Sequence, residues 1–271
     1  MKFKEILYLL GFKPSPKVYG TQVREFDLPR DGRVKYARWL HPKEQEKVIN
    51  QTAVDALRGF LADGDVAIDI GAHTGDTTFP MALAVGKRGC VLAFEPNRYV
   101  FTVLKQNANL NVDKMNIVPL PFAATTSDGE YEFDYSDPGF CNGGLLESQS
   151  RWQHAHAFKL KVQGRNLVTY LRREHPDLLP RIRYIKIDAE GYDCKILESL
   201  VELVAAQKPY LRIEVYAHSQ AAQRLQLQRT VTGLGYAVHR FESDANYHGI
   251  LLEENDFIVA SGFDIFCVPR S

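Results

Sequence analysis

Two glycines and a carboxylate in the stretch Asp69–Asp76 are suited to binding a nucleoside cofactor. The stretch follows an apolar strand and opens a helix, and Gly71 and Gly75 remove side chains where a ligand must approach the backbone. A helix N-terminus adds free amide groups that attract a polar or anionic ligand. The alternative is an ordinary strand–turn–helix junction. We expect the cofactor-binding residues of this turn to be Asp69, Gly71, Ala72, His73, Gly75, Asp76 and Thr77.

The segment Phe94-Glu95-Pro96-Asn97 directly follows the next apolar strand. An acidic residue at the end of a second strand can accept hydrogen bonds from both hydroxyls of a ribose. Pro96 sets the backbone for the start of a helix, and the alternative role for Glu95 is a charge at that helix terminus. We expect Glu95, Pro96 and Asn97 to contact the cofactor.

Two carboxylates, Asp188 and Glu190, follow a third apolar strand that ends at Ile187. In open α/β sheets, ligands bind outside the carboxyl ends of the strands, so both side chains are placed to reach cofactor or substrate. The alternative for Asp188 is a helix cap. We expect Asp188 to bind cofactor and to be the first choice for a general base, with Glu190 as a second catalytic carboxylate.

Histidines are reserve candidates for the base. His218 comes just after the apolar strand Leu211–Tyr216, at the same edge as the other motifs, although a surface position is the alternative. His73 lies inside the glycine turn. Glu214 lies within the strand, and a buried carboxylate needs a partner. The predicted catalytic set is therefore Asp188, Glu190 and His218.

Metal binding is the less favoured interpretation of these side chains. Asp188, Glu190 and Glu214 could gather a divalent ion, since such ions prefer oxygen ligands. The four cysteines include no C-x-x-C pair, which argues against zinc. We expect no metal ligands, with a divalent ion kept as an alternative.

Composition narrows the class of protein. The 271 residues are 45% hydrophobic and 24% charged, as in soluble globular proteins, and 33 basic residues balance 33 acidic ones. This balance offers no basic stripe for nucleic acid. Neither a signal peptide nor a membrane-spanning run is visible. We expect a cytoplasmic protein that acts on a small molecule or glycan, with a short N-terminal helix that packs on the body or contacts a membrane surface.

Strand and helix patterns alternate from residue 63 to the end, with a third strand over Ile117–Ala124, apart from an insertion at about 126–164. The insertion has two strand patterns, Glu130–Tyr135 and Phe158–Val162, on either side of a glycine-rich loop. Such alternation predicts a Rossmann-like, doubly wound α/β domain with a mostly parallel sheet. Two final strands without a helix-length pattern between them indicate one antiparallel member. Residues 1–62 predict an N-terminal extension that packs on this domain: a short helix, a hairpin with turn signals at Pro29 and Asp31-Gly32, and a helix from Pro42 to Leu61. The extension and the insertion are expected to build the pocket for the acceptor.

Five stretches together resemble the FkbM family of class I methyltransferases, in an order and spacing that span about residues 65–269: VAIDIGAHTGDTT, VLAFEPN, YIKIDAEGYDCKIL, LRIEVY and DIFCVPR. The resemblance implies a seven-stranded sheet whose last strand is inserted antiparallel between its neighbours. It implies that Asp69, Gly71 and Gly75 shape the methionine end of an S-adenosylmethionine site. Glu95 would hold the ribose, and residues around Ala123 would flank the adenine.

By the same resemblance, the expected activity is methyl transfer from S-adenosylmethionine, with S-adenosylhomocysteine as product. The favoured acceptor is a hydroxyl oxygen of a sugar, glycan or secondary metabolite. Three alternatives remain: an NAD-dependent oxidoreductase, a non-catalytic nucleoside-binding module and a nucleic-acid methyltransferase. The spacing D-x-G-x-x-x-G argues against the first, because dinucleotide folds use G-x-G-x-x-G.

Overall fold

The structure is a computed structural model that describes residues 17–137, 140–144, 158–258 and 261–270. A β-hairpin lies at the beginning of the described part of the chain. Strand β1 (Thr21–Leu28) pairs antiparallel with β2 (Gly32–Trp39) over their whole length. The hairpin predicted from the Pro29 and Asp31-Gly32 turn signals is confirmed. The helix predicted near the N-terminus falls at residues 1–16, outside the described residues.

The first described helix is shorter than the sequence pattern predicted. Helix α1 spans Gln51–Arg58, whereas the apolar spacing indicated a helix from Pro42 to Leu61. Asn50 has an extended backbone, and its side chain accepts a hydrogen bond from the amide of Ala53 at 2.9 Å. This N-cap starts the helix at residue 51. The prediction was therefore wrong for residues 42–50, which form no regular element.

The remaining elements alternate along the chain. The other helices are α2 (Thr78–Val85), α3 (Arg98–Asn109), α4 (Leu167–Glu174), α5 (Asp193–Gln207) and α6 (Ala221–Gly233). The other strands are β3 (Val66–Ile70), β4 (Cys90–Phe94), β5 (Ile117–Leu120), β6 (Ala123–Thr125), β7 (Gly129–Asp137), β8 (Phe140–Gly144), β9 (Phe158–Asn166), β10 (Ile182–Ile187), β11 (Tyr210–Val215), β12 (Tyr236–Arg240) and β13 (Phe263–Pro269).

Seven of these strands form one sheet in the order β12-β13-β11-β10-β3-β4-β5. β3, β4, β5, β10 and β11 run parallel, and β13 pairs antiparallel with both β11 and β12. The Rossmann-like sheet with one antiparallel strand is thus confirmed. The chain leaves β3 towards β4 and β5 and then returns to β10 on the other side of β3. A crevice forms at such a reversal, outside the carboxyl ends of the strands.

Both faces of this sheet are covered, as a doubly wound fold requires. Along β3, Val66, Ile68 and Ile70 belong to one apolar cluster with side chains of α5, whereas Ala67 belongs to a second with side chains of α1, α2 and α3. Successive side chains of a strand point to opposite faces, which explains this alternation. The near-continuous apolar run of β3 is the expected pattern for a strand buried on both sides.

The predicted insertion contributes most of a second sheet of four strands in the order β6-β9-β7-β8, and β6 lies just before it. The sequence pattern indicated a single third strand over Ile117–Ala124, but the structure divides it into β5, at the edge of the large sheet, and β6. Pro121 lies between them, and proline cannot donate to a ladder. The two predicted strands of the insertion are confirmed as β7 and β9. Much of the predicted glycine-rich loop lies outside the described residues.

No helix within the described ranges is long and apolar enough to cross a membrane.

Candidate functional site

A cavity of about 450 Å³ lies at the carboxyl ends of β3, β4 and β10, at the reversal of strand order. Nine of the predicted site residues line it: Gly71, His73, Asp76, Thr77, Glu95, Pro96, Ala123, Asp188 and Glu190. Four residues of the irregular segment before α1 also line it: Lys43, Glu44, Gln45 and Lys47. The cavity is therefore walled by the glycine turn, by the strand ends and by the N-terminal extension.

The glycine turn has no space for a side chain at Gly71. Its backbone has φ +79°, and an added Cβ would lie 2.0 Å from the backbone oxygen of Asp188. The amides of Gly71 and Ala72 both donate to the carbonyl of Phe94, at 3.1 and 3.0 Å. These bonds hold the turn against β4 while Gly71 lies against the loop after β10. Gly71 therefore brings three strand ends together.

Replacing Gly71 with alanine is expected to lower the free energy of unfolding by about 1–3 kcal/mol more than replacing Gly64 does, because overpacking a buried contact costs about that amount. Gly64 is a matched control: its φ is +100°, but a Cβ there would meet nothing within 4 Å. Left-handed backbone alone costs about 1–2 kcal/mol in each variant. Urea unfolding followed by circular dichroism measures both. Equal losses of unfolding free energy in the Gly71 and Gly64 variants would mean that small movements relieve the clash with Asp188.

Glu95 is a buried carboxylate at the end of β4, with 4% of its surface exposed. Oε1 accepts a hydrogen bond from the amide of Asn97 at 2.7 Å, and Oε2 accepts one from the amide of His73 at 3.0 Å. Burial raises the pKa of this carboxyl to about 7, although the two amides oppose the shift. Two backbone amides thus fix its orientation, while the residue lines the cavity.

Asn97, Ala72 and Gly75 are predicted site residues that do not line the cavity. Asn97 is buried and does not line the cavity; its Oδ1 accepts from the amide of Tyr99 at 3.0 Å and caps α3. Ala72 is also fully buried, and Gly75, at φ +91°, packs against Leu104. The structure brings these three predicted residues next to the cavity but not onto its surface.

A buried ion group lies beneath the cavity. The Lys186 ammonium lies 3.4 Å from Asp69 Oδ1 and 3.0 Å from Asp188 Oδ2, and the side chains of Asp69 and Lys186 are 0% and 3% exposed. Asp69 Oδ2 also accepts hydrogen bonds from the hydroxyls of Thr77 and Thr78, at 2.9 and 2.7 Å. Burial alone would lower the pKa of Lys186, but the two carboxylates outweigh burial and raise it.

Asp69 thus acts through the residues around it, since it does not line the cavity. It ties the start of α2 to β10, because its partners lie on both. Asp188 does line the cavity, and its side chain is 39% exposed. The predicted carboxylates therefore have different positions: one below the site and one facing it.

The loop after β10 carries a group of carboxyls. Glu190 lines the cavity with a left-handed backbone at φ +52°, and burial together with the charge of Asp188 raises its pKa to about 7. Asp193 accepts hydrogen bonds from the amides of Ala189 and Gly191, at 2.8 and 2.9 Å. Asp193 therefore orders the loop that presents Glu190.

Glu214 is the third carboxyl of this region. Its Oε2 is buried and has no hydrogen-bond partner among the described residues. Burial, followed by the charges of Asp193, Asp188 and Glu190, raises its pKa to about 9. Glu214 is therefore mostly protonated at neutral pH. Across the described ranges, no group of three His, Cys, Asp or Glu side chains is arranged to hold a metal ion.

The two histidine candidates lie in different surroundings. His218 is exposed, its ring packs edge-on against Tyr216 with centroids 5.4 Å apart, and it does not line the cavity. The structure therefore does not bring His218 to the cavity with the other predicted site residues. His73 lines the cavity, but burial lowers its pKa to about 4. A base of that strength is poorly matched to neutral pH.

Part of the cavity lining is apolar and aromatic. Phe122 and Ala123 lie at the turn between the two sheets, and Phe133 and Tyr135 reach the cavity from β7. Phe122 packs edge-on against Phe94, with centroids 5.3 Å apart. A flat apolar ring system fits such a lining, because aromatic faces and edges pack favourably against one another.

Several site residues were not predicted. Lys186 was readable in part, since a lysine inside an apolar strand needs a buried partner, and in the sheet it stands in register with Asp69. Glu44 and Lys47 were assigned to a helix face. Their approach to the cavity depends on the cap at Asn50 and on contacts between distant segments, which the sequence does not reveal.

The chain was compared with known proteins. The family model described as "Methyltransferase FkbM domain" matches residues 69–254, and no curated protein matches the chain. A solved methyltransferase FkbM from Methylobacillus flagellatus KT shares 13% identity with a TM-score of 0.47 over 76% of this chain, which spans only 44% of that protein.

Two further solved structures are similar at low identity. One is a SAM-dependent O-methyltransferase from Thermotoga maritima, with 12% identity and a TM-score of 0.44, covering 89% of this chain and 76% of that one. The other is a putative methyltransferase from Streptococcus mutans in complex with SAH, with 11% identity, a TM-score of 0.43 and coverage of 83% and 98%. The family match extends over more than half of the chain and includes the ends of β3, β4 and β10 that form the cavity. The chain therefore belongs to the FkbM methyltransferase family.

Proposed function

We propose that this chain is an S-adenosylmethionine-dependent methyltransferase that methylates a hydroxyl oxygen of a sugar, a glycan or a secondary metabolite. The observation that carries the proposal is the pairing of Glu95 with Gly71 at one cavity. A buried carboxylate oriented by two amides lies beside a turn that leaves no room for a side chain. Ribose hydroxyls are the donors that such a carboxylate accepts at the end of a second strand.

The lining fits the whole nucleoside. In this proposal, Phe122, Ala123, Phe133 and Tyr135 flank the adenine, and Glu95 binds the ribose. Gly71 and His73 border the sulfur end, with Thr77 and Asp76 behind them. The fit rests on the chain's own features: an apolar aromatic part of the lining, a fixed buried carboxylate and a glycine that no other residue can replace without a clash.

Bound S-adenosylmethionine supplies an electrophilic methyl group on a sulfonium. The protein's tasks are then to align an acceptor, to exclude water and to take up the hydroxyl proton. We assign the uptake of the acceptor's hydroxyl proton to Glu190, because its pKa of about 7 suits a base at neutral pH. Asp188, held by its ion pair with Lys186 at 3.0 Å, positions the acceptor beside it. Tyr192 and Ile196 give this side of the cavity an apolar surface.

The test of the cofactor is calorimetric titration with S-adenosylhomocysteine. We expect micromolar binding, no response to NAD, and an affinity about a hundredfold weaker in Glu95→Ala, because hydrogen bonds to a buried charge contribute strongly. The matched control is Glu202→Ala, whose side chain is 76% exposed on α5 and which should bind as the unaltered protein does.

Other results would favour other functions. Binding of NAD in place of S-adenosylhomocysteine would support an oxidoreductase. Binding of S-adenosylhomocysteine without methylation of any sugar, glycan or metabolite hydroxyl would indicate a non-catalytic nucleoside-binding module. No binding by folded protein would remove the proposal.

Two further parts of the proposal concern the cellular location of the protein and its dependence on metal. We infer a cytoplasmic location from the free thiols of Cys90, Cys194 and Cys267, since oxidising compartments favour disulfides. Fractionation of cells that produce the protein tests this inference. The proposed mechanism uses no metal, so turnover that falls on rigorous chelation and returns with a divalent ion would contradict it.

A further inference from the structure

Glu44 is a buried carboxyl that faces the cavity from the N-terminal extension. Its side chain is 3% exposed, and it lines the cavity. Its Oε1 has no hydrogen-bond partner among the described residues. A buried carboxylate without such a partner is costly, which is why most are paired in native proteins. Glu44 therefore has an acceptor oxygen that no described residue uses.

The two basic side chains nearest to Glu44 among the described residues lie too far away to donate a hydrogen bond to it. Lys47 Nζ lies 4.0 Å from Oε1 and is engaged by Asp76 Oδ2 at 2.7 Å. His73 Nε2 lies 3.9 Å from Oε2, and burial lowers the pKa of that imidazole to about 4, so it is neutral at pH 7. Both distances exceed a hydrogen bond. A donor from a ligand in the cavity would complete the coordination of this carboxyl.

The wall around Glu44 carries charges of both signs. Glu44 and Asp76 supply carboxylates, and Lys43 and Lys47 supply ammonium groups, all four on the cavity lining. A neutral polyol matches such a wall only through hydrogen bonds. A group that carries an ammonium and a carboxylate on one carbon matches both signs at once. The methionine-derived end of S-adenosylmethionine is such a group.

The position of the wall agrees with the length of the cofactor. The amide of His73 donates to Glu95, and the imidazole of the same residue approaches Glu44. The two glutamates are therefore linked through one histidine, with a contact of 3.0 Å at its amide and one of 3.9 Å at its imidazole. The arm that joins the ribose of S-adenosylmethionine to its amino-acid group, one sulfur and a short carbon chain, is of a length similar to that of this histidine.

We propose that Glu44 accepts a hydrogen bond from the α-ammonium group of the cofactor, with Lys43 on the same wall supplying positive charge for its α-carboxylate. This inference rests on the proposed function, because it assigns one end of the same ligand. It gives the N-terminal extension a part in cofactor binding in addition to the part in acceptor binding expected from the sequence.

The experiment compares two ligands on three proteins by calorimetry. S-adenosylhomocysteine has the amino-acid end, whereas 5′-methylthioadenosine has the same nucleoside and sulfur without it. Glu44→Gln keeps the shape of the side chain and removes its charge. The matched control is Glu46→Gln, two residues away, where the side chain is 53% exposed and pairs with Arg24.

We expect Glu44→Gln to bind S-adenosylhomocysteine about ten- to a hundredfold more weakly, as the loss of a charge-assisted hydrogen bond predicts. Its affinity for 5′-methylthioadenosine should stay within about twofold of the unaltered protein, which also shows that the nucleoside site remains folded. Glu46→Gln should change neither affinity.

Three outcomes would overturn the inference. Unchanged binding of S-adenosylhomocysteine by Glu44→Gln, even with a weaker acceptor KM, would assign Glu44 to the acceptor. Equal weakening for both ligands would mean that Glu44 only maintains the shape of the cavity. In both cases the proposed function stands. Failure of the unaltered protein to bind either ligand would remove the proposed function and the inference together.

Discussion

Replacing Lys186 with methionine is expected to lower the free energy of unfolding by about 3–5 kcal/mol, the usual effect of removing one partner from a buried ion pair. Asp69 is fully buried, and Lys186 is the cation of its ion pair. The two threonine hydroxyls that donate to Asp69 carry no charge and cannot replace the ammonium. Urea unfolding followed by circular dichroism measures the loss.

The matched control for this prediction is Lys161→Met. Lys161 also pairs with a glutamate, Glu130, but its side chain is 72% exposed, so we expect a loss below about 1 kcal/mol. The double variant Asp69→Asn with Lys186→Met should be less destabilised than Lys186→Met alone, because no buried charge is then left unpaired. Equal losses in Lys186→Met and Lys161→Met would show that water or rearrangement reaches Asp69.

Replacing Glu190 with glutamine is expected to lower kcat for methyl transfer to a hydroxyl by about 10²- to 10⁴-fold, the usual contribution of a general base. The unaltered enzyme should lose activity as the pH falls through about 7, because burial raises the pKa of Glu190 to that value and only the carboxylate takes up a proton. Above that pH its rate should be level. The glutamine variant should lack this dependence.

The measurement is production of S-adenosylhomocysteine at saturating cofactor and acceptor. Saturation matters because burial also raises the pKa of Glu44 and Glu95 to about 7, and their protonation would affect binding rather than kcat. Glu198→Gln, an exposed change on α5, is the control and should retain the rate. A kcat that keeps its pH dependence in Glu190→Gln would exclude Glu190 as the base and return attention to Asp188.

The large sheet was predictable because its strands are marked by local patterns. The apolar runs of β3, β4 and β10 each end in glycine or a carboxylate, and parallel strands place those ends at one edge. The antiparallel position of β13 followed from the lack of a helix-length pattern before it. For the site, the same logic placed Gly71, Glu95, Asp188 and Glu190 around one cavity.

Predictions failed where contacts between distant segments decide the outcome. The apolar spacing of residues 42–50 suits a helix, yet Asn50 caps α1 and the preceding residues turn towards the cavity. His218 follows a strand at the expected edge, but its side chain lies outside the cavity. The partner of a buried carboxylate is also set between strands: Lys186 of β10 pairs with Asp69 of β3, a contact that no linear pattern shows.

The irregular segment at residues 42–50 forms one wall of the cavity and can be changed without changing the sheet. It precedes residue 69, where the family match begins, and it belongs to no sheet ladder. Residues of β3, β4 and β10 support the sheet as well as the ligand, so a change there disturbs both. A change at Lys43 or Gln45, both exposed, alters the lining while leaving the ladders intact. Exchange of this short segment therefore offers a way to change the cavity lining while the sheet stays intact.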